Sequence, residues 1–170
     1  IDILTVADYF AVGSRPNAYL SLSVHIASHR EYSKPLVSHL LDRKVGHWDT
    51  TVRELTARAL HNLAPCGPDF MVSEVGPQLL VEAVGGDLHM SHGATLVLGQ
   101  RVAGPGQVAQ DRGQDLKEAL GPALVTGLQE LGGNRVEKHK PQGLGGEMMR
   151  QAASHYIRLA SWSSLALLSA

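Results

Sequence analysis

The chain has 170 residues, 44% of them hydrophobic but only 5% aromatic, and a formal net charge of −1 at pH 7. That length suits one domain with its own core. The near-neutral charge, with no basic block, argues against nucleic acid and membrane surfaces as partners. Few aromatic residues beside plentiful Ala, Leu and Gly favour packed helices over a β-sandwich. The single cysteine, Cys66, excludes an intramolecular disulfide and fits a cytosolic compartment. The terminal apolar run LALLSA is far too short to span a bilayer. The sequence begins at Ile1 with neither Met nor a signal peptide, which reads as an internal piece of a longer protein.

In chain order, RPNAYLSLSVHIAS (15–28) reads as the second helix of a partial first unit, residues 1–31. In YSKPLVSHLLDRKVGH (32–47) the apolar residues Leu36, Val37, Leu40, Leu41 and Val45 have helical spacing, and Pro35 suits a first turn. Asp49 then stands as an N-cap before VRELTARALHNLA (52–64). On that helix Val52, Leu55, Thr56, Ala59, Leu60 and Leu63 form one stripe, while Glu54, Ala57, Arg58 and His61 fall opposite. VSEVGPQLLVEAV (72–84), with Pro77 in its first half, forms the next helix. A turn at Asp87 leads into LHMSHGATLVLGQRVA (88–103). Four Gly and one Pro in residues 99–113 predict that this helix stops near Ala103. A looser third pair covers 115–131 and 146–161, separated by a polar loop at 132–146 that reads as the most mobile segment.

A helix pair thus recurs about every 40 residues: Asp49 and Asp87 are 38 apart, Ala64 and Ala103 are 39 apart. That period, with Asp in the turn and Arg53 near the start of the second helix, points to an all-α fold. It has the form of a HEAT/armadillo-type solenoid of stacked antiparallel helix pairs. The units are residues 1–31, 32–67, 68–114 and 115–161, with a tail at 162–170. A single helical bundle with chance internal similarity is the competing architecture. Asp49, Arg53 and Asp87 read as structural residues of the turns. Arg53 can meet Asp49 within its unit or reach the next turn.

No catalytic chemistry emerges. His25 and His29, or His89 and His92, have spacings that could offer two zinc ligands, but a site needs three or four and Cys66 has no CxxC partner. HIASH lacks the Glu of HExxH. GLGGE (143–147) precedes a helix, yet no strand leads into it and no GxxxxGK[ST] is present. No metal, cofactor or catalytic residue is expected. Glu54, Arg58 and His61 form the candidate partner-binding face, and a shift of 97 residues puts Gln151, His155 and Arg158 in equivalent places. An ordinary solvated helix face is the alternative for these positions.

Four strings resemble the tubulin-specific chaperone D family, also called tubulin folding cofactor D: IDILTVADYFAVGSRPNAYL, HWDTTVRELTARALHNLAP, DLHMSHGATL and GLGGEMMRQA. The resemblance runs in order from Ile1 to about Leu98 and from about Leu116 to Ala160. Residues 99–113 are Gly-rich where the family continues a helix, and the last ten residues depart from it. The resemblance implies an internal segment of a long, HEAT-rich, non-enzymatic chaperone or scaffold. Its implied location is cytoplasmic and cytoskeleton-associated, with the centrosome and cell junctions included. Its implied partners are β-tubulin, the other tubulin folding cofactors and an Arf-like small GTPase. The work it implies is β-tubulin capture after the chaperonin, αβ-heterodimer assembly, and GTPase activation by the cofactor complex. A HEAT-repeat adaptor for another protein partner, without tubulin binding, is the second reading.

Overall fold

Among the residues that the computed structural model describes as continuous elements, the side-chain patterns above resolve into five helices. It describes residues 14–112, with backbone only from 101 onward, together with Thr126, Gly127, Met149, Ala152 and Ser154. Helix α1 covers residues 15–27, α2 Arg30–Arg43, α3 Thr50–Leu63, α4 residues 68–84 and α5 Leu88–Arg112. Among the described residues there is no strand, and the chain is all-α. No described helix is long and apolar enough to cross a membrane.

Local chemistry sets the helix ends. Ser14 caps α1, accepting from Asn17 N at 3.4 Å, and Pro16 occupies its first turn. Within α1 a π-helical turn spans Ala18–Leu22, and the Ser23 hydroxyl donates back to the Tyr19 carbonyl. A second π-helical turn, Met71–Val75, lies in α4 just ahead of Gly76-Pro77. The widened turn comes where Pro77 has no N–H to give to the ladder.

Three boundaries differ from the sequence pattern. Helix α2 begins at Arg30, so Pro35 lies inside it rather than in its first turn. The carbonyl that loses a partner belongs to Glu31, an exposed residue that water can serve. Helix α4 begins at Pro68, four residues earlier than the apolar spacing indicated, because proline is pre-set for a helix start. Helix α5 runs to Arg112 and does not stop near Ala103. Each Gly there costs about 1 kcal/mol relative to Ala and Pro105 removes one donor, which raises the cost of a helix without forbidding it. The third helix pair, the loop 132–146 and the tail 162–170 lie outside the described residues, apart from the five isolated positions, all of which are helical.

The helices pack as two rows. Helix α3 lies between α1 and α5, so these three stand side by side. Helix α2 packs on α1 and α3, and α4 packs on α5. A helix with neighbours on three sides must bury more than one stripe. In α3 the buried residues are Val52, Arg53, Leu55, Thr56, Ala57, Ala59, Leu60 and Leu63. Ala57, placed opposite the stripe by the helical wheel, is only 2% exposed. Its small side chain lets α5 approach. The same close approach needs Gly93: a Cβ there would stand 1.9 Å from the Val45 carbonyl oxygen, which ends the α2 turn. Leu40, Leu60, Leu79 and Leu98 are among the largest fully buried side chains, each contributing about 1.5–3 kcal/mol of burial.

Candidate functional site

Helices α3 and α5 start alike. Asp49 accepts from Thr51 N at 2.9 Å, and Asp87 accepts from Met90 N at 2.8 Å. Each carboxylate satisfies a first-turn donor that the helix leaves unpaired, and its charge suits the positive helix end. Asp49 also stands 3.6 Å from the Arg15 guanidinium of α1, a partly exposed pair of small energetic weight.

Arg53 is buried, at 1% exposure. Its Nη1 donates to the carbonyl of His47 and, at 2.9 Å, to that of Trp48. Its Nη2 donates to Thr50 Oγ1 at 2.8 Å, and its Nε donates to His92 Nδ1 on α5 at 3.0 Å. The guanidinium fork therefore braces its own turn and reaches α5 with one side chain. Burial pushes the Arg53 pKa below its usual value, while the Asp49 and Glu54 carboxylates pull it back up. Two turns further along, His61 Nδ1 lies 3.0 Å from the Gln100 carbonyl oxygen. Both ties join residues 39 apart and run in the same direction, so α3 and α5 lie parallel in a 39-residue register. The register also repeats within the helices: Thr56 Oγ1 donates to Val52 O, and Thr95 Oγ1 donates to Ser91 O, each at 2.7 Å and each fully buried. Ser91, 5% exposed, donates to the Ala83 carbonyl at 2.6 Å and ties α5 to the end of α4.

A cleft of about 330 Å³ opens between α3 and α5 beside this ladder. Glu54 and Arg58, both exposed, line it with Ala57, His92, Leu96 and Ala152. The structure thus brings two of the candidate contact residues to one opening and sets His61 apart from them as a half-buried inter-helix tie. Gln151, His155 and Arg158 lie outside the described residues.

The histidine pairs resolve differently. His25 and His29 meet edge-to-face with ring centroids 6.0 Å apart, whereas His89 is exposed and His92 is buried against Arg53. Among the described residues no group of three His, Cys, Asp or Glu side chains could hold a metal ion. Cys66 ends a short 3-10 turn, Ala64–Cys66, and is half-buried. His92, Ser91, Thr95 and Gly93 are the structural residues that helical patterning passed over. A shift of 39 residues applied to Arg53 and Thr56 would have pointed to His92 and Thr95.

Fold and site together define an all-α protein in which α3 and α5 run parallel, tied at an interval of 39 residues. No family model matches the chain, and no solved structure matches it. Over 101 residues the chain is 31% identical to the Tubulin-specific chaperone D of Dictyostelium discoideum. That stretch covers 59% of this chain and 7% of the relative, so the likeness is a partial, family-level resemblance to a much longer protein.

Proposed function

We propose that the chain is a HEAT-type segment of a tubulin-folding cofactor, a cytoplasmic, non-enzymatic scaffold that binds β-tubulin during post-chaperonin folding and heterodimer assembly. The observation that carries this reading is the 31% identity to a protein named for tubulin-specific chaperoning. The 39-residue register of α3 and α5 supports stacked units, divided at about 32, 68 and 115. The other tubulin folding cofactors and an Arf-like small GTPase are further partners of the proposed assembly, in which GTPase activation belongs to the complex. The proposed contact face is Glu54 and Arg58 at the α3–α5 cleft, extended by Gln151, His155 and Arg158. Charges of both signs at a part-apolar opening suit a polar-rimmed protein interface.

The test is capture of purified β-tubulin by this chain, in the wild type and in the charge swap Glu54→Lys with Arg58→Glu. The expected result is capture by the wild type, and loss of capture in the swap with its thermal melting unchanged. Capture by both moves the contact elsewhere on the chain. No capture by the wild type removes tubulin as the partner of this segment.

A further inference from the structure

Two histidines tie α3 to α5, and they do so with opposite chemistry. His92 Nδ1 accepts from Arg53 Nε at 3.0 Å. Arginine only donates, so that ring nitrogen is unprotonated. His61 Nδ1 lies 3.0 Å from the Gln100 carbonyl oxygen, which only accepts, so that ring nitrogen carries a proton. A further proton on His92 removes an acceptor and sets two cations face to face. A further proton on His61 leaves its Nδ1–H bond in place, now charge-assisted.

Neither member of the Arg53–His92 pair is placed to step aside. Arg53 is 1% and His92 3% exposed. The guanidinium is held by the His47 and Trp48 carbonyls and by Thr50 Oγ1. Helix α5 is fixed at the next residue, where the Gly93 backbone lies directly against the Val45 carbonyl. The surrounding charges are mixed. Helix α3 contributes Glu54 and Arg58 beside Arg53, and the turn ahead of it contributes Lys44, His47 and Asp49. On α4, Glu82 stands next to the Ala83 carbonyl that accepts from Ser91, while Asp87 and His89 belong to the start of α5 itself. The later chain meets the cleft at Ala152, which carries no charge. Arg53 outweighs these groups because it touches the ring in a buried contact, whereas Glu54, Arg58, Asp87 and His89 are exposed and screened by water.

We propose that the α3–α5 contact is a proton switch at one end only: protonation of His92 releases Arg53 and frees the end nearest the turns, while the His61–Gln100 tie persists further along. In the unfolded chain His92 meets water and takes up a proton in the usual imidazole range, at about pH 6.5. In the folded chain the Arg53 bond excludes that proton. The unfolded state therefore binds more protons below that range, and stability falls as the pH falls through it. His92 lines the same cleft as Glu54 and Arg58, so acid loosens that opening.

The test is urea unfolding of the full chain between about pH 7.5 and about pH 5, for the wild type, His92→Gln and His61→Gln. His92→Gln keeps a carbonyl acceptor for Arg53 without a titrating group, and His61→Gln keeps a donor for the Gln100 carbonyl. The wild-type unfolding constant should climb, relative to His92→Gln, by up to about tenfold for each pH unit below about 6.5. His61→Gln should keep the wild-type slope. Nitrogen NMR of the imidazole rings in the wild type is a second measurement that needs no variant. It should show the Nε2–H tautomer of His92 at neutral pH, and a shift of that ring together with the Arg53 and Glu54 amides on acidification. The proposal is overturned if the wild type and His92→Gln share one pH dependence, or if His61→Gln removes as much of it as His92→Gln. It is equally overturned if His92 Nδ1 carries a proton at neutral pH, or if the ring stays neutral throughout the acid range.

Discussion

Arg53 Nε donates to His92 Nδ1 at 3.0 Å, and this bond between residues 39 apart joins α3 to α5. For Nδ1 to accept, the His92 ring must be neutral there, with its proton on Nε2. Burial lowers the Arg53 pKa, and the Asp49 and Glu54 carboxylates oppose that shift and favour the charged guanidinium. A cation is thereby held in the core by neutral acceptors and by the nearby Asp49 and Glu54 charges, a site that tolerates little change.

Arg53→Ala should lower stability by about 2–4 kcal/mol, because it strands the buried His92 Nδ1 and removes the brace on the part-buried turn carbonyls of His47 and Trp48. Arg53→Lys should recover less than half of that loss: one ammonium cannot serve His92, the two carbonyls and Thr50 together. Urea denaturation of the three proteins measures it. A lysine variant as stable as the wild type would show that the fork geometry is unimportant.

His61→Glu should cost about 1 kcal/mol, since its ring nitrogen is tied to the Gln100 carbonyl across the α3–α5 boundary. Arg58→Glu, exposed one turn earlier, should shift stability by less than about 0.5 kcal/mol. Comparing their thermal melts separates a structural histidine from a surface arginine, and matching losses would place both on the same footing.

Gly93→Ala should be among the most damaging single substitutions, at about 2–4 kcal/mol. The added Cβ meets the Val45 carbonyl oxygen at 1.9 Å, and both groups belong to packed backbone that cannot yield separately. Gly86→Ala, where a Cβ meets nothing within 4 Å, is the control and should be close to neutral. A mild Gly93→Ala phenotype in a melt would mean that α5 sits further from the α2 turn than described.

Asp49→Ala and Asp87→Ala should each cost about 1 kcal/mol through the lost N-cap, and Asp→Asn at either position should recover most of it. The parallel behaviour of the two sites is the point of the experiment. A loss at one and not the other would break the equivalence of the two turns.

Helical spacing was enough to find α2, α3 and α4, because each carries apolar residues every three to four positions, but Pro35 and the apolar pattern marked the starts of α2 and α4 too late. It was also enough to single out Asp49 and Asp87 as turn residues, since an N-cap is a local interaction read within three residues. Of the candidate face, the exposed positions of Glu54 and Arg58 were legible on the same grounds.

Where α3 touches α5 is a different kind of information. A helical wheel divides a helix into two sides, but α3 has α1, α2 and α5 around it, so Ala57 is buried on a side the wheel gave to solvent. His61 looked like a free polar residue until the carbonyl of Gln100 was brought to it by packing. The continuation of α5 to Arg112 likewise runs against local preference. The sequence by itself determined that α2, α3, α4 and α5 form and that Asp49 and Asp87 cap two of them, because those features depend on neighbours along the chain. Only the tertiary structure decided which polar groups face solvent and which hold α3 and α5 together, because those bonds join residues 39 apart and exist only once the helices have packed.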